Sequence, residues 1–348
     1  MNKVYIILVN YNNYNDTIEC LESVLKSSYA NYQVFVVDNS PDNDSITQLL
    51  AWAGNKNYQV NINMFKDLVF PLSTKPLNFV FIDEHTFTQN KQLIEYKITF
   101  IRSKNRGFAA ANNIALNYIL TYGQEPSSVW ILNNDTVIER DTLLNLATFS
   151  GDKANNKLIL GAKLRYYDQP DVLQAVAGKY NRFLGMHKHI GDGEKDYGQY
   201  DNYLPGKMNY IVGASIFLPF LFLKETGLMC EDYFLYFEEL DWLNMGRTFG
   251  YSMGIVPNAI VYHKEGSSII GSRTEKKDTS TAEYYSITNR VRFIKKWYPW
   301  CLITVMPGTI WALTKRIMQG KLRLVKKSSI TIFKILTTKN FPYFVNNG

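Results

Sequence analysis

The stretch that most constrains this chain is Tyr233-Phe-Leu-Tyr-Phe-Glu-Glu-Leu-Asp-Trp242, which sets three carboxylates inside an otherwise aromatic helix start. Burying an unpaired carboxylate is expensive, so such a pattern calls for a specific physical reason. Glu238 and Asp241 are three apart and share a helical face, while Glu239 is turned by about 100° and addresses a different group. A general base with supporting charges fits this arrangement. A helix N-terminus whose acids complement the macrodipole fits it equally.

Strand and helix alternate over residues 1–150. Residues 4–9, 33–37, 98–101 and 129–132 read as apolar strands, and residues 16–27 and 107–120 as helices, the first capped by Asn15 or Asp16. The strands run into polar ends such as Asn10-Tyr-Asn12, Asp38-Asn-Ser40 and Asn133-Asn-Asp-Thr136. This pattern predicts an α/β fold with a Rossmann-like, mostly parallel sheet flanked by helices, its ligand crevice lying along the carboxyl edge. Residues 51–97 are less regular: residues 80–83 form an extra strand, and the remainder reads as an insertion decorating the sheet edge.

The strand ends carry the groups a nucleotide needs. Asp38 can accept from a pyrimidine imide, and Asn10, Asn12 and Asn105 offer mixed donors and acceptors. Gly107 opens a helix whose free N–H groups can approach a phosphate. There is no GxGxxG and no Walker loop, which removes the usual dinucleotide and ATP signatures. Taken singly, each residue reads as well as a turn or cap; their alignment on one edge carries the argument. Asp135 is the candidate anchor for Mg²⁺ or Mn²⁺, which takes few protein carboxylates and fills its shell from diphosphate and water. The alternative for Asp135 is a cap on a helix over 136–141. His263, at the end of a strand over 254–262, is either a further ligand or a structural histidine.

The formal charge of +7 is unevenly distributed. From residue 284 onward there are twelve Lys or Arg and no acid, which leaves 26 basic and 31 acidic residues, a balance of −5, in the first 283. In the tail the basic residues alternate with apolar ones, predicting amphipathic helices lying on an anionic membrane surface. Its longest uncharged run, 297–314, is broken by Pro299, Pro307 and Gly308 and falls short of the roughly twenty apolar residues a span needs. Nothing else resembles a nucleic-acid fold, so no nucleic-acid partner is expected. Cys20, Cys230 and Cys301 form no zinc or disulfide spacing, which fits a reducing compartment. The first apolar run is six residues long, a buried strand and not a signal peptide.

With these residues in place, the chain resembles family 2 glycosyltransferases of the GT-A fold, in particular their bacterial rhamnosyltransferase-like branch. The resemblance rests on seven ordered blocks over about residues 3–295: Val9-Asn-Tyr-Asn12; Val36-Val-Asp-Asn-Ser40; Asn105-Arg-Gly-Phe108 with Asn112-Asn113; Leu132-Asn-Asn-Asp-Thr136; Gly213-Ala-Ser215; Tyr233 to Asp241; and Val256 to His263 followed by Gly266-Ser267. It implies a nucleotide-sugar-binding half over 1–150, an acceptor-binding and catalytic half over 151–285, and the basic amphipathic tail over 286–348. It also implies that Asn10, Tyr11, Asn12, Asp38 and Asn39 hold the base and ribose, with Arg102, Asn105, Arg106, Gly107, Phe108 and Asn112 nearby. Asn134, Asp135, Gly213 and Ala214 would line the donor site, and Asp135 with His263 would bind the divalent cation. Glu239 would be the general base of an inverting transfer, supported by Glu238 and Asp241. The chain departs from the wider pattern in having Asn133 where a second acid is common, Glu239 where Asp is usual, and Met245 where an Arg is common, with Arg247 nearby.

The implied donor is dTDP-L-rhamnose, with a UDP-hexose as the alternative. The implied acceptor is a lipid-linked saccharide of surface polysaccharide (O-antigen or capsule) synthesis, with residues 187–209 as an acceptor loop. The expected location is cytoplasmic, peripheral on the inner membrane's cytoplasmic face. A non-catalytic GT-A scaffold and a nucleotidyltransferase are the readings from other classes.

Overall fold

The computed structural model describes residues 2–338 apart from 61, 63, 153–154, 207–208 and 265–279. Gly266-Ser267 and residues 339–348 therefore lie outside the described residues. In the first half, β1 (Lys3–Asn10), α1 (Tyr14–Leu25), β2 (Tyr32–Asp38), α2 (Asp44–Gly54), α3 (Lys66–Val69), β3 (Phe79–Asp83), α4 (Glu84–Gln89), β4 (Ile98–Arg102), α5 (Phe108–Tyr122), β5 (Ser127–Leu132), β6 (Thr136–Ile138) and α6 (Thr142–Gly151) follow in order. Next come β7 (Leu158–Tyr166), β8 (Gln169–Ala175), β9 (Ala177–Asn181), β10 (Met186–Ile190), β11 (Asn209–Tyr210), β12 (Ser215–Pro219), α7 (Phe220–Thr226), α8 (Glu238–Thr248) and β13 (Ser252–His263). The helices α9 (Ser280–Trp297), α10 (Leu302–Met318) and α11 (Leu322–Thr337) complete the chain.

Among the described residues the main sheet runs β3-β4-β2-β1-β5-β12-β7-β13-β6, with β8 paired to β7. The pairs from β3 to β5 are parallel, whereas β12 is antiparallel to both neighbours. A smaller antiparallel sheet joins β10, β9 and β11. The uninterrupted apolar runs of β1 and β2 follow from burial on both faces. Val4, Ile6 and Leu8 enter one core with Ile18, Leu21 and Trp52, while Tyr5 and Ile7 enter the other with Ala115, Tyr233 and Phe293. The period of two thus supplies both cores from one strand.

Several local expectations shift. The first helix starts at Tyr14, with Asn13 as its N-cap residue and no side-chain cap bond. The Asn13 and Asp16 side chains bond to each other, and Asp16 also pairs with Lys264, so neither Asn15 nor Asp16 begins the helix. The 80–83 strand is the parallel edge strand β3. Pro307 lies inside α10 and does not end it. Having no N–H, it forgoes the bond to the Ile303 carbonyl four residues earlier, and the helix continues past it. The tail is not separate from the body, because Phe293 and Ile294 of α9 are fully buried in the main core.

Glu22 of α1 fixes the 51–97 segment to the sheet. It is fully buried and accepts from Trp52 Nε1 at 3.0 Å, Ser73 N at 2.9 Å, Ser73 Oγ at 2.8 Å and Lys75 Nζ at 2.8 Å. Lys75→Ala leaves that carboxylate short of its countercharge. The expected destabilisation is about 3–5 kcal/mol, read from urea unfolding, whereas Lys56→Ala on the exposed surface should move the midpoint little.

Candidate active site

The carboxyl ends of four strands form one row, because register pairs Asn10 with Asp38, Asp38 with Arg102, and Arg102 with Asp83. Asp38 is fully buried at the centre of this row. Its Oδ1 accepts from Asn10 Nδ2 at 2.8 Å and Ser40 Oγ at 2.5 Å, and its Oδ2 faces Arg102 Nη1 at 3.2 Å. Asn10 is also fully buried; its Nδ2 donates to Ser45 Oγ at 2.6 Å, and its Oδ1 accepts from Thr17 Oγ1 at 2.8 Å and Asn134 Nδ2 at 3.3 Å. Asn10 and Asp38 Oδ1 are thus engaged within the protein, whereas Asp38 Oδ2 has the Arg102 guanidinium as its partner. Asn12, exposed at φ 57°, and the half-buried Tyr11 form the rim, with Asn12 N donating to Ser40 Oγ at 2.8 Å. Asn39 is buried, and its Oδ1 has no hydrogen-bond partner among the described residues.

Asp135 and His263 meet where β6 begins and β13 ends. Asp135 precedes a strand, which removes the helix-cap reading; α6 is instead preceded by Asp141. His263 Nε2 lies 3.2 Å from Asp135 Oδ1, and its Nδ1 is 2.7 Å from Gln174 Oε1. With Nδ1–H donated to Gln174 Oε1, the neutral ring presents its Nε2 lone pair to Asn133 Nδ2, at 3.4 Å, and to the space beside Asp135. That is the tautomer a metal-binding histidine needs, with the second-sphere partner that fixes it. The spacing also suits two adjacent ligands of an ion with bonds of about 2.1 Å.

The third part of the site is the turn into α8. Phe234, Tyr236 and Phe237 have φ of 63°, 66° and 75°. Left-handed backbone at non-glycine residues costs on the order of 1–3 kcal/mol each, so the turn must be held. Asn289 of α9 holds it, its Nδ2 donating to the carbonyls of Tyr233 and Leu235 at 2.8 Å and Tyr236 at 3.2 Å. Gly107 supports it from the other side: Phe108 N donates to Phe234 O at 3.0 Å, and a Cβ on Gly107 would stand 2.4 Å from that oxygen.

This turn separates the three acids, all of which do lie in the first turn of α8. Glu239 packs against Gly213, whose added Cβ would sit 3.3 Å from Glu239 Oε1. Ala214 O accepts from Asn133 N at 3.0 Å, so Gly213-Ala214 bridges Glu239 to the segment bearing Asp135. Glu238 is buried, with Oε2 unpartnered among the described residues. Burial, followed by the neighbouring Glu239 charge, pushes the Glu238 carboxyl well above its usual range, and burial raises Glu239 as well. Asp241 does not join them. It accepts from Tyr233 Oη at 3.0 Å, Lys296 Nζ at 2.8 Å and Trp297 Nε1 at 2.6 Å, which makes it a tie to α9 and corrects its placement among the reacting groups.

Other expected residues are peripheral. Arg106 is exposed and pairs with Glu84 of α4, and Asn105 Oδ1 caps Gly107 N at 3.0 Å. Asn112 is buried on α5, donating to Phe108 O at 2.9 Å. Arg247 bonds Asn244 and the Asn209 carbonyl, so it stabilises β11. Sequence reasoning did not find Gln174, Asn289, Thr17 or Ser45. Asn289 had a signal, since it is a polar residue on the face of α9 that also carries Phe293; Gln174 had none.

No family profile and no curated protein matches the chain. Solved structures that it resembles include mannosyltransferase PcManGT from Pyrobaculum calidifontis in complex with GDP-Man and Mn²⁺, at 14% identity and TM-score 0.46, covering 97% of this chain and 81% of that one. S. aureus TarS 1-349 follows at 12% identity and TM-score 0.44, covering 96% and 88%. GalNAc-T7 with UDP, GalNAc and Mn²⁺ is similar at 11% identity and TM-score 0.53, covering 86% of this chain and 49% of that one. The last likeness shows a shared fold, the mixed α/β architecture of GT-A type expected from the sequence.

Two outcomes follow from this geometry. Asn289→Ala removes the shared donor to three carbonyls and should cost about 1–3 kcal/mol, with faster amide exchange confined to residues 233–239. Glu238→Gln removes an acid whose charged form the fold disfavours. Wild type then loses stability relative to the variant as pH rises above the ordinary carboxyl value of 4.5, by up to about 1.4 kcal/mol per pH unit. Urea unfolding of both proteins at about pH 4 and pH 8 checks the sign, the gap being small at the lower value.

Proposed function

We propose that the chain is an inverting glycosyltransferase that moves a hexosyl group from a pyrimidine nucleoside diphosphate sugar to a hydroxyl of a lipid-linked saccharide in surface polysaccharide synthesis, releasing the nucleoside diphosphate. The observation that carries this reading is the join between Glu239 and the Asp135–His263 pair through Gly213, Ala214 and Asn133. It supports a base and an anion-stabilising centre on one sheet edge. Asp135 and His263 would hold a Mg²⁺ or Mn²⁺ ion, which supplies charge stabilisation to the departing diphosphate. Among the described residues no group of three or more His, Cys, Asp or Glu gathers at ligating distance, so most ligands would come from the donor and water.

Glu239 takes the proton from the acceptor hydroxyl as that oxygen bonds to the anomeric carbon and the bond to the diphosphate breaks. A sugar hydroxyl is too weak an acid to ionise beforehand, so removal accompanies attack. Burial that raises the Glu239 pKa makes it a stronger base once ionised. Arg102 and the Asn12 backbone at the rim, with the unpartnered Asn39 Oδ1, would meet the nucleoside, while Asp38 orders them. The UDP and Mn²⁺ of the GalNAc-T7 structure favour a uridine donor as the first to test; dTDP-L-rhamnose is the donor that the sequence resemblance implies.

The test is release of nucleoside diphosphate from UDP-glucose, UDP-galactose, UDP-N-acetylglucosamine and dTDP-rhamnose with Mg²⁺ or Mn²⁺ and lipid-linked saccharide. Acceptor-dependent release from one donor is expected, reduced about 10²–10⁴-fold in Glu239→Gln and sharply in Asp135→Asn. The acid limb of kcat/KM should lie above the ordinary Glu value of 4.5 and vanish in Glu239→Gln. Tight nucleotide binding without release from any donor would identify a non-catalytic scaffold instead.

A further inference from the structure

We propose that the β9–β10 turn, the 3-10 turn at Pro299–Cys301 and the outward face of α10 form one bilayer-docking surface for an anionic phospholipid leaflet. This does not rest on the proposed reaction. The inward face of α10 is occupied: Val305 and Thr309 are buried, and Met306 and Leu313 pack against α9 and α11. The outward face carries Ile303, Ile310 and Ile317 at 82%, 57% and 50% exposure, with Trp311 and Met318 at 66% and 69% beside them. A spacing of seven keeps each set in a single stripe.

A second segment far away in the sequence adjoins this stripe. Phe183 stacks edge-on against Trp300 at 5.6 Å, with the Arg182 guanidinium 5.0 Å from the Trp300 ring. Leu184 and Met186 of the same turn are 56% and 57% exposed. Contiguous apolar exposure built from two separate segments is beyond what scattered surface residues explain.

Charge decides the occupant. On the stripe itself Lys315 of α10 is exposed one turn from Trp311 and Met318, and Arg182 lies over Trp300; α11 adds exposed Arg323, Lys326, Lys327 and Lys334, and from residue 284 onward there is no acid. Glu283 just upstream is already paired with Arg316 and Lys321. A second copy on this face would set two such basic tails against each other. An anionic leaflet complements them, while the apolar stripe and its tryptophans enter the interface. Among the described residues no helix is long and apolar enough to cross a membrane, so the surface lies on the bilayer.

Cosedimentation with phosphatidylglycerol–phosphatidylcholine vesicles, against phosphatidylcholine alone, tests the proposal on the full chain. Wild type should sediment with the anionic vesicles only, its tryptophan emission moving to shorter wavelength. Ile310→Glu with Trp311→Glu, and separately Leu184→Glu, should each lower partitioning at least about tenfold with unchanged melting by circular dichroism, since all three side chains are exposed. Wild type remaining in the supernatant, variants sedimenting as wild type, or a wild-type dimer in ultracentrifugation that the variants split would each overturn it.

Discussion

Asp241 accepts from Tyr233, Lys296 and Trp297, and these bonds fix how the C-terminal helices meet the sheet. Its 2% exposure leaves it little contact with water, so an unpaired Asp241 would be intolerable and the three donors must arrive together. Once Lys296 and Trp297 are seated, Asn289 two turns earlier on α9 faces the carbonyls of the Tyr233–Phe237 turn. That turn cannot hold three left-handed non-glycine residues unaided. The direction of Glu239 thus depends on a helix that composition alone would assign to the basic tail.

The opposite side of the crevice is a hydrogen-bonded network. Asp38 and Asn10 bond one another, Ser40, Ser45 and Thr17, and Arg102 and Asn134. A buried polar network of this kind is rigid because its members hold one another in place. Asn12 and Tyr11 lie at its rim, with Asn39 buried beside them.

Much of the sheet was legible in the sequence because β1, β2, β4 and β5 are buried on both faces, which writes them as continuous apolar runs ending in polar residues. The edge strand β3 was legible as a short apolar run although it is only partly buried, but its surroundings were not: the Glu22 network that anchors them joins residues about fifty positions apart. Of the candidate site, the Asp135–His263 pair joins two positions that the sequence singled out separately. What spacing could not reveal was how differently the acids at 238, 239 and 241 are surrounded, since that depends on which element packs over each. Gln174 was illegible because its importance comes from one bond across the β7–β8 hairpin to a strand some ninety residues later. The exposed stripe of α10 was visible as alternating composition, but its continuation into the β9–β10 turn exists only in three dimensions.

The contact between Gly107 and Phe234 is uneven in a way that bears on how this sequence can drift. On one side it is the absence of a side chain that counts, at φ 100° and 2.4 Å from a carbonyl oxygen. On the other side it is only backbone, while the Phe234 ring turns away to stack on Tyr285 at 4.9 Å. Position 107 is therefore closed to all nineteen alternatives, whereas position 234 can exchange its ring for another flat one in step with position 285. A glycine that looks interchangeable is the fixed point, and the aromatic residue opposite it is free to vary with its partner.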